Sequence, residues 1–129
     1  MQGNLVRNLK TDGPYPAEVA GFGYGIAIEA DTTATGNTIE NAPKAGFLVG
    51  WGEFMRNIII TGNVVRKAAT GVQISVVEGT GKAVITDNIF DAIAGAGIGG
   101  FRWADQVTGD LATGANTPEN MVIERNSVT

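Results

Sequence analysis

Residues 57–74, NIIITGNVVRKAATGVQI, place an asparagine (Asn63) behind a Thr-Gly pair and a glycine (Gly71) ahead of an apolar residue, and both markers recur. Asparagines in equivalent settings stand at Asn37, Asn88 and Asn126, with a weaker copy at Asn4; Asn37, Asn63 and Asn88 follow one another at almost equal intervals. The glycine marker stands at Gly25, Gly46, Gly71 and Gly97, at a near-constant distance behind its asparagine in the three clean copies. In the first copy an insertion separates Asn4 from Gly25 by much more. A fixed period of this size marks a chain of stacked units, each burying its apolar face against its neighbours.

Around each asparagine the apolar residues alternate. Three residues before it stand Ala34, Ile60, Ile85 and Ile123; two after it stand Val6, Ile39, Val65, Phe90 and Val128. A period of two argues for strands with these side chains inward. Past the marker glycines the same alternation turns inward Ile26 and Ile28, Phe47 and Val49, Val72 and Ile74, and Ile98 with Gly100. No segment is long enough for a crossover helix. Units of two or three short strands joined by tight turns close into coils stacked about 4.8 Å apart. The expected fold is therefore all-β: a right-handed parallel β-helix, or solenoid, of about four to five short coils, forming one domain over residues 1–129. Asparagine tolerates left-handed backbone and its amide bonds to neighbours, so Asn37, Asn63, Asn88 and Asn126 are expected at one corner as a ladder.

The pattern N-I-x-I-T-G-N-x-V, then G-V-x-I, resembles the parallel β-helix repeat of pectin-lyase-like proteins over nearly the whole chain. More narrowly it resembles a group of uncharacterised, twin-arginine-exported bacterial repeat proteins. The resemblance implies the coiled fold and a periplasmic or secreted location, with the signal peptide outside this sequence. Lyases of the superfamily pair a carboxylate-bound Ca²⁺ with a basic residue. This chain has no Asp-Asp, Asn-Thr-Asp or Gly-His-Gly, so catalysis does not carry over with the fold.

Composition narrows the chemistry. The chain has 129 residues, 43% of them hydrophobic, with 19 Gly, which suits a turn-rich β domain. A net charge of −4 argues against a nucleic-acid surface. The absence of His removes catalytic triads, imidazole bases and most transition-metal sites, and the absence of Cys removes disulfides and thiolate chemistry. No apolar run reaches the length of a membrane span, and MQGNLVRN has no secretory hydrophobic region. No metal or cofactor is expected from the motifs, Ca²⁺ being the one left open. Glycines at 95, 97, 99 and 100 suit close backbone packing better than a phosphate cradle, since no helix follows them. Both ends fall in mid-repeat, so the chain is expected to be a piece of a longer solenoid or a module completed by other copies.

An opening strand is expected over residues 4–11. An aromatic loop with Tyr15, Phe22 and Tyr24 is then expected to cover one end of the stack, a ligand-binding role being its alternative. Three further excursions, 50–56, 78–82 and 102–119, all follow a glycine-marked strand and so emerge on one side, where solenoids commonly bind. Trp51, Glu53 and Arg56 of the first, Glu78 of the second, and Arg102, Trp103 and Asp105 of the third are the candidate substrate-binding residues. Exposed Trp faces stack on sugar rings while carboxylates and Arg fix hydroxyls, although Trp residues that cap a core give the same pattern. Two columns point outward beside the asparagines: the charges Arg7, Glu40, Arg66 and Asp91, and the stripe Thr33, Ile59, Val84 and Val122. The stripe is either ordinary strand composition or a buried surface, covered by residues 102–119 or by a second subunit. A third outward column, Ala27, Leu48, Gln73 and Gly99, carries no charge. The expected function is that of a carbohydrate-interacting module. Its rivals are an assembly module that self-associates through open ends or through Ile59, Val84 and Val122, and a polysaccharide lyase or glycoside hydrolase.

Overall fold

The computed structural model of the chain describes residues 1–9 and 23–129, so Tyr15 and Phe22 of the expected covering loop lie outside the described residues. Tyr24 is not in a loop: it opens strand β2 (Tyr24–Ile28), half-buried, with the Lys44 ammonium 5.4 Å from its ring centre. The expected opening strand is shorter, β1 (Leu5–Arg7).

The described residues are all-β and form two sheets. In the smaller sheet β3 (Ala30–Thr35), β5 (Arg56–Thr61), β7 (Ala83–Thr86) and β11 (Met121–Glu124) lie side by side and parallel. The larger sheet is organised by two long strands, β4 (Thr38–Val49) and β6 (Val64–Ser75). Their first halves are flanked by β1 and β8 (Ile89–Ile93), with β12 (Ser127–Val128) beyond β8, and their second halves by β2 and β9 (Ile98–Arg102). Both long strands turn at a left-handed residue, Asn41 (φ 56°) and Lys67 (φ 57°), and their pairing shifts between Ala42 and Ala45. One strand runs antiparallel: β10 (Asp105–Asp110) folds back on β9.

Register explains the core. Ala34, Ile60, Ile85 and Ile123 are successive partners in the smaller sheet, as are Ile39, Val65 and Phe90 in the larger, and all are buried. Phe47, Val72 and Ile98 continue the pattern in the second halves. These side chains meet in one apolar cluster, each worth roughly 1.5–3 kcal/mol when fully buried. Val6 is only half-buried and Val128 is exposed, because among the described residues β1 and β12 each have a neighbouring strand on one side only. The column Ile58, Ala83 and Met121 is also inward, and so is Met55, which the repeat pattern places in a loop.

An asparagine stands at the corner before each of β1, β4, β6, β8 and β12, and the amide Oδ1 of one accepts both the main-chain N–H and the side-chain amide of its counterpart before the neighbouring strand. Asn37 bonds Asn63 at 2.9 and 2.9 Å, Asn63 bonds Asn88 at 2.9 and 3.0 Å, and Asn88 bonds Asn126 at 3.1 and 3.0 Å. Asn4 joins the line through Asn37. The second amide proton of Asn63, Asn88 and Asn126 reaches the carbonyl of Ala34, Ile60 and Ile85 respectively, 3.0 Å each. The left-handed backbone expected of these asparagines belongs instead to the residue before each: Gly3, Gly36, Gly62, Asp87 and Arg125. That residue makes the turn, which leaves the amide free to serve its neighbours.

The glycine markers have a different cause. A Cβ on Gly25 would lie 2.6 Å from the Gly46 carbonyl oxygen, and one on Gly46 would lie 2.8 Å from that of Gly71. Gly71 stands in the same relation to Gly97 and also faces the Phe90 ring. Stacked backbones approach too closely here for any side chain.

Residues 102–119 do not cover the Ile59 stripe. Besides β10 they hold a 3-10 turn, Leu111–Thr113, whose Leu111 is buried. The Asp110 carboxylate accepts from the N–H groups of Gly97 (2.9 Å), Ile98 (3.1 Å) and Ala112 (2.9 Å), and Thr108 Oγ1 accepts from Gly100 N–H at 2.9 Å. The segment thus satisfies the free edge of β9. Thr33, Ile59, Val84 and Val122 remain successive register partners on the outer face, with Ile59 41% and Val122 46% exposed.

Candidate functional site

The three excursions are fixed from beneath before they present anything to solvent. Gly50 turns with φ 70°, and Met55, packed so close that a Cβ on Gly50 would collide with it, plugs the core at the other end of the first loop. Ser75 Oγ donates to the Gly52 carbonyl at 2.6 Å. Trp51, Glu53 and Phe54 are therefore held outward between two anchored points. In the second loop buried Val77 and left-handed Gly79 form the turn, and Gly81 N–H donates to the Met55 carbonyl at 2.6 Å, tying it to the first. The third begins as a tight hairpin in which Arg102 pairs with Asp105 and Trp103, left-handed at φ 53°, occupies the tip.

Four of the seven candidate residues come together. Glu53, Glu78, Arg102 and Trp103 line one open groove of about 410 Å³ with Gly52, Phe54 and Val77. Trp103 is 46% exposed, and Gly52 lies beside its indole nitrogen, a Cβ there falling 3.4 Å away. Arg102 Nη1 donates to both oxygens of Glu78, at 2.5 and 2.7 Å, and its guanidinium carbon lies 5.8 Å from the Trp103 ring centre, within cation–π range. The hydrogen bond from Arg102, helped by one from Glu78's own backbone, holds the Glu78 carboxyl below its ordinary pKa.

The other three lie apart. Trp51, 42% exposed, stands between two further grooves, one of about 240 Å³ with Ala27, Ile28, Glu29 and Leu48, the other of about 330 Å³ with Tyr24, Lys44, Gln73 and Phe101. Arg56 turns away and pairs with Asp31 at 3.0 Å. A hydrogen bond from Asn57, then the attraction of Arg56, lowers the Asp31 pKa. Asp105 is exposed next to the hairpin tip and lines none of these grooves.

Sequence reasoning missed Phe54, 64% exposed in the Trp103 groove, because a lone Phe in a loop gives no periodic signal. The column Ala27, Leu48, Gln73 and Gly99, expected to be open, is roofed at its far end. A Cβ on Gly99 would meet the Phe101 ring at 2.9 Å and the Gln106 amide at 3.3 Å, and Gln73 is buried. The charged column is a surface feature: Arg66 lies 3.9 Å from Glu40 and 3.4 Å from Asp91, pairs worth roughly 0–1 kcal/mol.

Among the described residues no three His, Cys, Asp or Glu side chains are grouped to hold a metal ion, and no helix is long and apolar enough to cross a membrane. Comparison with protein families, with curated proteins and with solved structures finds no match to this chain.

Proposed function

We propose that the chain is a right-handed parallel β-helix of about four to five short coils whose loop side binds an extended carbohydrate. Three parallel strand columns sharing one core, with each register partner lying one repeat further along the chain, support the coil. Right-handedness is the hand that parallel crossovers take almost without exception. The observation that carries the binding reading is the groove in which the exposed rings of Trp103 and Phe54 stand beside Glu53, Glu78 and Arg102. Stacking faces next to fixed charged hydrogen-bonding groups suit a sugar ring, which is apolar on its faces and polar around its edge. Trp51 and its two flanking grooves extend this surface, as an extended glycan requires. A periplasmic or secreted location belongs to the same reading and rests on the repeat resemblance. The reading stops at binding, because Glu78 is engaged by Arg102 and Asp105 lies outside the groove.

Affinity electrophoresis through gels that contain a soluble polysaccharide tests this. The wild-type chain is expected to be retarded, and Trp103→Ala to weaken binding about tenfold, the value of one lost stacking contact. The far-UV spectrum should not change, since Trp103 is half outside the fold. Equal mobility of wild type and variant in every gel would remove the binding reading.

One observation favours a second reading, self-association through the smaller sheet: its outer face keeps Ile59, Val84 and Val122 adjacent and uncovered by the described residues. Light scattering over a wide concentration range should then show mass rising with concentration, and Ile59→Lys should return the chain to monomer. A strict monomer at high concentration contradicts it.

A further inference from the structure

We propose that the Trp103 groove selects glycans carrying protonated amino groups and excludes polyuronates, an inference that rests on the carbohydrate reading above. Arg102 is the one cation among the residues lining that groove, and both oxygens of Glu78 already hold it. Its guanidinium also lies against the Trp103 ring. The pair is neutral as a unit, so an incoming carboxylate gains Arg102 only in exchange for Glu78. Glu53 has no cationic partner among the described residues and reaches over the second turn, its Oε2 lying 3.8 Å from where a Gly79 Cβ would stand. The lining therefore holds two carboxylates against one guanidinium, and exposed Asp105 adds a further negative charge beside the hairpin.

A uronate entering this groove meets an unneutralised carboxylate and a cation already shared with Glu78, so the net charge of the lining opposes it. A protonated amine on a sugar ring meets the opposite. The Glu53 carboxylate can take its N–H groups in charge-assisted hydrogen bonds, and the Trp103 and Phe54 faces attract the cation. The net charge of the chain, −4, steers in the same direction at longer range. Stacking chooses the sugar face in this arrangement, and Glu53 chooses the charge.

The test is calorimetric titration of the full chain, at mildly acidic pH, with three oligosaccharides of equal length: a glucosamine oligomer, its fully N-acetylated counterpart and an oligogalacturonate. The glucosamine oligomer is expected to bind tightest and the oligogalacturonate weakest. Glu53→Gln, an isosteric change at an exposed side chain, should lower affinity for the glucosamine oligomer about fivefold to tenfold and narrow its margin over the acetylated one. Tightest binding of the oligogalacturonate, or a Glu53→Gln variant with undiminished preference for the free amine, overturns this inference and leaves carbohydrate binding standing. Failure of all three oligomers to bind removes the carbohydrate reading itself, and this inference with it.

Discussion

Ile60→Asp is expected to leave the chain unfolded at room temperature. Ile60 is fully buried in the smaller sheet, with Ala34 and Ile85 as its register partners on either side. Removing its side chain costs on the order of 2–5 kcal/mol, and a carboxylate in its place adds several more, with no buried cation among the described residues to receive it. Domains of this size hold only about 5–15 kcal/mol in total. The neighbouring substitution Ile59→Asp supplies the control, because Ile59 points to the other face of the same strand and is 41% exposed. It should cost less than about 1 kcal/mol. Far-UV circular dichroism and a urea titration read both. A folded Ile60→Asp, or an unfolded Ile59→Asp, would place the inward face on the wrong side of β5.

Asn63→Leu is expected to cost about 3–5 kcal/mol although it adds apolar surface to a buried position. Asn63 Oδ1 is the acceptor for both the main-chain and side-chain N–H of Asn37, while its own amide serves Asn88 Oδ1 and the Ala34 carbonyl. Leucine takes away the acceptor of the Asn37 main-chain N–H and the side-chain donor to the Ala34 carbonyl, each at about 1–3 kcal/mol, and weakens the remaining links, although the main-chain N–H of residue 63 still reaches Asn88 Oδ1. Asn4→Leu, at an exposed position with a single ladder neighbour, should cost less than about 1 kcal/mol. The difference between the two urea midpoints measures how far the ladder works through burial. Equal small losses at both positions would mean that water replaces the amide without penalty.

The parallel all-β arrangement was legible because its signal is local and periodic. Alternation around Asn37, Asn63 and Asn88 separates Ile60 from Ile59 with no tertiary knowledge, since successive side chains of a strand face opposite ways. The glycine markers were legible as positions but not as causes: that the carbonyl of the next layer takes the place of a Cβ at Gly46 follows only from the stacking of the backbones. Met55 and Leu111 escaped for the opposite reason. They are single apolar residues in aperiodic segments, and what buries them is the way each loop closes over the core.

The candidate site divides along the same line. That Trp51, Glu53, Glu78, Arg102 and Trp103 sit on excursions from one side of the chain follows from where the repeat is interrupted. Which of them meet does not. Asp31 draws Arg56 off the groove through an ion pair between adjacent strands, and Phe54 enters the groove because Met55 beside it is anchored inward. The same holds for residues 102–119, whose attachment to β9 depends on Asp110 reaching two main-chain N–H groups at the sheet edge.

By itself, the sequence determined the parallel strands around the asparagine and glycine columns, most of their inward faces, the positions of those columns, and the absence of imidazole and thiol chemistry; the antiparallel β10, within residues read as an excursion, it did not. These follow from periodicity and composition, properties of neighbours along the chain. The tertiary structure alone decided which residue of each corner carries the left-handed turn, which edge the longest excursion covers, and that Glu78 holds Arg102 while Glu53 has no cationic partner among the described residues. Those outcomes depend on groups 12 to 24 residues apart in sequence and adjacent in space, and no local pattern encodes which of several neighbours will be in reach.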